Sequence, residues 1–215
     1  MEDRSGVSPH DAGDRASLAA GRAVHWPRMK IYTRSGDGGD TGLLGGVRVA
    51  KDDPRVEVCG TIDEANAIVG MARATRLPPE LDTILERIQC ELFQVGAELA
   101  CAKSGDGTCR TRRVGGEHVA WLEGAIDEQE SHLSPLASFV LPGGTPAASL
   151  LHLARTVCRR AERRLVAARR RTEVRDPVLV YLNRLSDLLF VLARRCNQQA
   201  GVPDVAWGPS TKVTS

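Results

Sequence analysis

Apolar residues recur at steps of three and four along most of the chain, and five stretches keep that beat. In the first, TIDEANAIVGMARA, Thr61 followed by Glu64 forms a capping box, so the spacing predicts a helix with Thr61 as N-cap. Asp63 then falls in the first turn, where the helix dipole alone accounts for an acid. After Pro78-Pro79, a second stripe runs through Leu81, Ile84/Leu85, Ile88, Leu92, Val95 and Leu99. A third joins Val119, Leu122, Ile126 and Leu133. Leu141-Pro-Gly-Gly breaks the chain ahead of Thr145 and Pro146, an N-cap and first-turn proline that launch a fourth helix through Leu150, Leu153/Ala154, Val157, Ala161, Leu165 and Ala168. Asp176-Pro177 repeats the device before Leu179, Leu182, Leu185, Leu189 and Leu192, and Gly201 and Pro203 end the last helix. The pattern predicts an all-α fold, a five-helix bundle with short connections, preceded by a glycine-rich N-terminal arm.

The fourth helix is unusual in charge. Nine arginines lie between Arg155 and Arg175, against two acids, Glu162 and Glu173. Arg155, Arg159 and Glu162/Arg163 stack turn upon turn on one flank, where like charges repel unless acids or a polyanion face them. A solvated basic face is the plain alternative. On the last helix, Asn183 and Asp187 form a polar pair one turn apart.

Composition narrows the picture. Of the 215 residues, 42% are hydrophobic and only 4% aromatic, which suits aliphatic helix packing. Net charge is +2, so the positive charge is local to one helix; the basic stretch also lacks the aromatics that stack bases, which argues against nucleic acid. No run is long enough for a membrane span. Residues 1–28 have no hydrophobic signal core and read as a disordered tail, with Met29 as an alternative start and the cytoplasm as the expected location. Residues 201–215 read as a flexible C-terminal tail. The six cysteines form no CxxC pair, so buried reduced thiols are expected, with neither a metal site nor a disulfide framework.

Lys30–Asp53 opens on a short strand-like piece and becomes glycine-rich. It contains no GxxxxGKS/T loop, and Gly36-x-Gly38-x-x-Thr41 lacks the third glycine of the dinucleotide fingerprint. What it offers is backbone N–H groups, hydroxyls (Thr33, Ser35, Thr41) and cations (Arg34, Arg48, Lys51), the parts of a phosphate cradle or of an ordinary surface loop. Phe139, beside the Pro-Gly-Gly break, is either core or the wall of a ligand site. Phosphoryl transfer would require a water-activating base or clustered carboxylates, and Glu162 and Asp187 alone are available beside the basic helix.

Four ordered motifs then carry a resemblance. KIYTRSGDGGDTGL with RVAKDDPRVEVCGTIDEANAIVG, FVLPGGT, ARTVCRRAERR and YLNRLSD together resemble the PduO-type ATP:cob(I)alamin adenosyltransferases, across Met29 to about Gln199. The resemblance implies one helical-bundle domain over residues 29–200, a homotrimer with ATP between subunits, and transfer of the 5′-deoxyadenosyl group to cobalt with release of triphosphate. It places Thr33, Arg34, Ser35, Gly36, Asp37, Thr41, Gly42 and Lys51 around the triphosphate, and Arg159, Arg160, Glu162, Arg163 and Asn183 in the rest of the ATP site. Asp63 would pair with Arg155 across the interface. Phe139 would lie beneath the corrin ring and exclude a lower axial ligand, which eases reduction of cobalt(II). Mg²⁺ would accompany ATP, no metal would be held by the protein itself, and a reductase or a cobalamin-dependent acceptor enzyme would be a partner. The chain departs from the family's arm in having Gly38 where relatives often carry Lys or Asp.

Overall fold

Among the described residues five helices follow a short hairpin in chain order: β1 (Asp40–Gly42), β2 (Arg48–Ala50), α1 (Pro54–Arg73), α2 (Pro79–Leu99), α3 (Gly116–Glu130), α4 (Pro146–Ala168) and α5 (Asp176–Gln199). The computed structural model describes residues 30–101 and 112–208, so the tail expected over 1–28 and the end of the chain beyond 208 lie outside the described residues. Residues up to Arg34 belong to a separate unit from Ser35 onward. In that first unit Lys30 and Arg34 lie over the Tyr32 ring, and no strand forms at Lys30.

The arginine helix is the middle of the bundle. α4 packs on α1 along one side and on α5 along the other, while α2 covers α1 and α3 covers α5. Leu151, Ala154, Val157, Cys158, Ala161, Leu165 and Ala168 form its buried stripe; Leu153 points out. The stripes of α2 and α5 bury the leucines their spacing selects, Leu81, Leu85 and Leu92 on one, Leu182, Leu185, Leu189 and Leu192 on the other.

Helix starts follow proline more faithfully than they follow the capping box. α1 begins seven residues before Thr61, at Pro54, capped by Asp53, whose Oδ1 accepts from Arg55 N at 2.8 Å. Thr61 is buried in mid-helix, where its hydroxyl donates to the Glu57 carbonyl at 2.7 Å and accepts from Arg164. The Thr-x-x-Glu spacing arises inside a helix as readily as at its end, and the threonine's hydroxyl finds its partners there. Asp63 is therefore exposed in mid-helix, away from the dipole's positive end. Arg175 rather than Asp176 caps α5, and Leu133 lies beyond the end of α3. Cys158 and Cys196 are buried free thiols as expected, but Cys90 is exposed and Cys101 is disulfide-bonded, contrary to a set of reduced cysteines.

The break before α4 has a steric cause. Gly144 has φ 101°, and a Cβ there would lie 2.2 Å from Asn197 Oδ1. Asn197, buried on α5, accepts from Thr145 N at 2.9 Å and donates to the Gly143 carbonyl at 3.0 Å, while Thr145 Oγ1 caps Ala148 N at 3.1 Å. Gly144→Ala is expected to destabilise the fold by about 3 kcal/mol or more, combining left-handed strain with loss of a buried hydrogen-bond set. Thermal or denaturant unfolding checks this; a shift within error of wild type would show that the turn relaxes freely.

Candidate functional site

Three features stand outside the packed core. The first is a groove of about 290 Å³ between α4 and α5, bordered also by α3, and lined by Arg155, Arg159, Ser186, Asp187, Phe190, Val191, Ile126 and Glu130. Arg155 is half-buried and its Nε has no hydrogen-bond partner; burial, then the neighbouring Arg159, pushes its guanidinium below its usual basicity. No ion pair engages Arg155, Arg159 or Arg163 among the described residues, although acids pair with Arg160 and Arg164 of the same helix and with Arg169 and Arg175 just after it. One turn along, Asn183 Nδ2 donates to Glu162 Oε1 at 3.1 Å, and Arg184 Nη1 donates to Asn183 Oδ1 at 3.0 Å.

The opposite flank of α4 is spoken for within the chain. Arg160 pairs with Glu64, and Arg164 with Glu57 at 2.7 Å, which sets α1 antiparallel to α4. Arg160 thus faces α1 rather than the groove of Arg155 and Arg159. The same register sets Asp63 about one and a half turns from Arg155, and the two do not pair within the chain.

The glycine arm is the second feature. Thr41 pairs with Val49 at the centre of the hairpin and Gly42 with Arg48. Gly39, at φ 92°, turns the chain and accepts from Lys51 N at 2.8 Å, while Arg48 Nη2 donates to the Ser35 carbonyl at 2.6 Å. A Cβ on Gly36 would lie 3.4 Å from Lys51 Nζ, an ordinary contact, so the Lys51 ammonium stands beside the Ser35–Asp37 turn. Leu44 N donates to the Ala100 carbonyl at 2.9 Å, fastening the arm to the end of α2.

Phe139 is the third. It is 80% exposed, with its ring edge-on to Trp207 at 6.4 Å. His152 is buried against Phe190 at 5.9 Å with both ring nitrogens unpartnered. Burial, then Arg155, holds its imidazole below the usual range against the opposing pull of Asp204.

Phe190, Arg194, Asp204 and Trp207 were not singled out by the sequence. Phe190 had a signal: Asn183, Ser186, Asp187 and Phe190 stand at i, i+3, i+4 and i+7 along one flank of α5. The C-terminal residues had none, because they follow the last periodic segment.

The described residues thus combine a helical bundle, arginines in a groove that no ion pair engages, a glycine hairpin followed by a lysine, and an exposed aromatic pair. The family model for cobalamin adenosyltransferase matches residues 31–196, and the chain belongs to that family. It is 48% identical over 166 residues to the corrinoid adenosyltransferase PduO of Citrobacter freundii, covering 77% of this chain and 49% of that protein, so the chain spans about half the length of that relative. With the corrinoid adenosyltransferase of Bacillus subtilis (strain 168) the identity is 44% over 189 residues, covering 86% of this chain and 95% of the relative. Among solved structures, a phenylalanine-to-histidine variant of the PduO-type ATP:corrinoid adenosyltransferase from Lactobacillus reuteri, complexed with cobalamin and ATP, aligns with TM-score 0.78 and 37% identity over 86% of this chain and 100% of that one. An arginine-to-lysine variant of the same enzyme, complexed with ATP, aligns with TM-score 0.76 and 38% identity over 83% and 100%.

Proposed function

We propose that this chain moves the 5′-deoxyadenosyl group of ATP to the cobalt of cob(I)alamin, forming adenosylcobalamin and releasing triphosphate. The observation that carries this is the pair Arg155 and Arg159, one turn apart in a groove and without carboxylate partners among the described residues. Cobalt(I) is the nucleophile, so the protein's work is to align C5′ with the metal and to stabilise charge growing on the leaving triphosphate. Arg159 and Arg163 meet that charge, Glu162 and Asn183 orient the nucleotide through their mutual hydrogen bond, and Phe139 is the apolar wall under the corrin. Ser35, Gly36, Asp37, Thr41, Gly42 and Lys51 close the arm over the phosphates; Thr33 and Arg34 come to the site from the family resemblance alone.

The acting unit is a homotrimer. α4 turns Arg155 and Arg159 to one flank and Arg160 to another, so a nucleotide lying between two copies can meet both. Asp63 of one copy pairs with Arg155 of the next. Mg²⁺ arrives with ATP and is held mainly by phosphate oxygens and water. When bound, that ion neutralises phosphate charge. The enzyme acts in the cytoplasm, with a reductase or a cobalamin-dependent acceptor enzyme as its partner.

The test is direct: incubate the protein with ATP, Mg²⁺ and chemically reduced cobalamin and follow the cobalamin spectrum. Absence of adenosylcobalamin from a folded protein would overturn the assignment. The arm gives a second check. Open space surrounds the Cβ position of Gly38, and its φ is not in the left-handed region. Gly38→Lys is therefore expected to fold normally and to lower the KM for ATP about three- to tenfold, through one added charge-assisted contact at an exposed site. An unchanged KM would place the tip of the hairpin away from the phosphates.

A further inference from the structure

The chain after α5 folds back instead of leaving the bundle. Leu141 N donates to the Val205 carbonyl at 2.8 Å, Trp207 N donates to the Phe139 carbonyl at 2.7 Å, and Val140 and Ala206 form the antiparallel bridge between them. In such a ribbon directly opposite residues share a face. Phe139 and Trp207 therefore stand together on one side, which is why their rings meet edge to face. Val140 and Ala206 stand on the other, lining a cavity of about 480 Å³ with Leu136, Val202 and Pro203.

With a hollow behind it, the ribbon's place depends on its anchors. Arg194 of α5, only 6% exposed, donates through Nε to Asp204 Oδ2 at 2.7 Å and through Nη2 to the Ser134 carbonyl at 2.8 Å. One guanidinium fork thus ties both arms of the ribbon to α5 near their roots. The Asn197 carbonyl accepts from Val202 N at 2.9 Å where the chain turns back. An exposed phenylalanine on an irregular segment would otherwise pay rotamer entropy each time it met a flat ligand.

We propose that Trp207, held by the Arg194–Asp204 anchor, is a positioning residue that presets Phe139 for the corrinoid, so that the segment after α5 is part of the corrinoid site. This rests on the assignment of Phe139 as the corrin-facing wall. Trp207 does not touch the reacting atoms; it acts by limiting where the Phe139 ring can go.

The experiment is a double-mutant cycle in the full chain, with Phe139→Ala, Trp207→Ala, both together, and Trp207→Phe. Steady-state kinetics are measured separately for reduced cobalamin and for ATP, alongside melting temperature. Trp207→Ala is expected to lower kcat/KM for the corrinoid about three- to tenfold, the range an aromatic pair commands. The KM for ATP and the melting temperature should not move, since Trp207 is 58% exposed at the periphery. Trp207→Phe should recover most of the loss. In the Phe139→Ala background, Trp207→Ala should add nothing, because its effect passes through the missing ring. Additive losses, or a normal Trp207→Ala beside an impaired Phe139→Ala, would overturn the proposal and leave the Phe139 assignment standing. A Phe139→Ala enzyme indistinguishable from wild type would overturn both.

Discussion

Arg159→Ala is expected to lower turnover by about two to three orders of magnitude, the usual cost of removing a preorganised donor from a developing charge. The melting temperature should stay where it is. Arg159 is exposed and makes no ion pair among the described residues, so its removal breaks no structural contact. Relief of its repulsion on Arg155 even favours the fold slightly. Arg159→Lys should recover only part of the rate, since an ammonium keeps the charge but loses the planar fork. Steady-state kinetics at saturating ATP with chemically reduced cobalamin measure this. Normal turnover in the alanine variant would remove Arg159 from the site, and a loss confined to cobalamin affinity would assign it to the wrong substrate.

The second large effect concerns assembly. Asp63→Asn is expected to cost about 2–5 kcal/mol of association energy, because it leaves Arg155 desolvated without a counter-charge. Neither residue has a structural duty inside one chain. Asp63 is exposed in mid-helix, too far from the α1 N-terminus for the dipole to explain it, and Arg155 is half-buried with Nε unsatisfied. The exchange Asp63→Arg with Arg155→Asp restores the attraction with signs reversed, so partial recovery of activity over either single variant is expected. Sedimentation should report the loss and return of the trimer in step with activity. Purely additive losses would mean independent sites, and a wild-type monomer fully active under saturating ATP would rule out an interfacial site.

The resemblance carried by the arm, FVLPGGT, the arginine run and YLNRLSD agrees with the family the chain belongs to. The bundle was legible because its signals are local. Stripes such as Leu81–Leu85–Ile88–Leu92 describe one helix face whatever lies against it, and Thr145-Pro146 starts α4 as its chemistry demands. The larger misplaced start, at Thr61, came from a local pattern whose side-chain partners proved to be Glu57 in its own helix and Arg164 on α4. Asp53-Pro54, the same device as Thr145-Pro146, stood seven residues upstream and marked the true beginning.

By itself the sequence determined how many helices there are, which faces they bury, and that one helix carries far more positive charge than its own acids balance. Those follow from periodicity, proline geometry and side-chain ionisation, which act over a few residues. Only the tertiary structure decided which arginines remain available. Glu57 and Glu64 reach across from α1 to take Arg164 and Arg160, and no acid on α5 pairs with Arg155 or Arg159. The same holds for Phe139, whose setting depends on Arg194 and Trp207, 55 and 68 positions further along the sequence. Charge pairing and ring contact act through space, so neighbours this distant in sequence are joined only when α4 is packed between α1 and α5 and the chain turns back after Gln199.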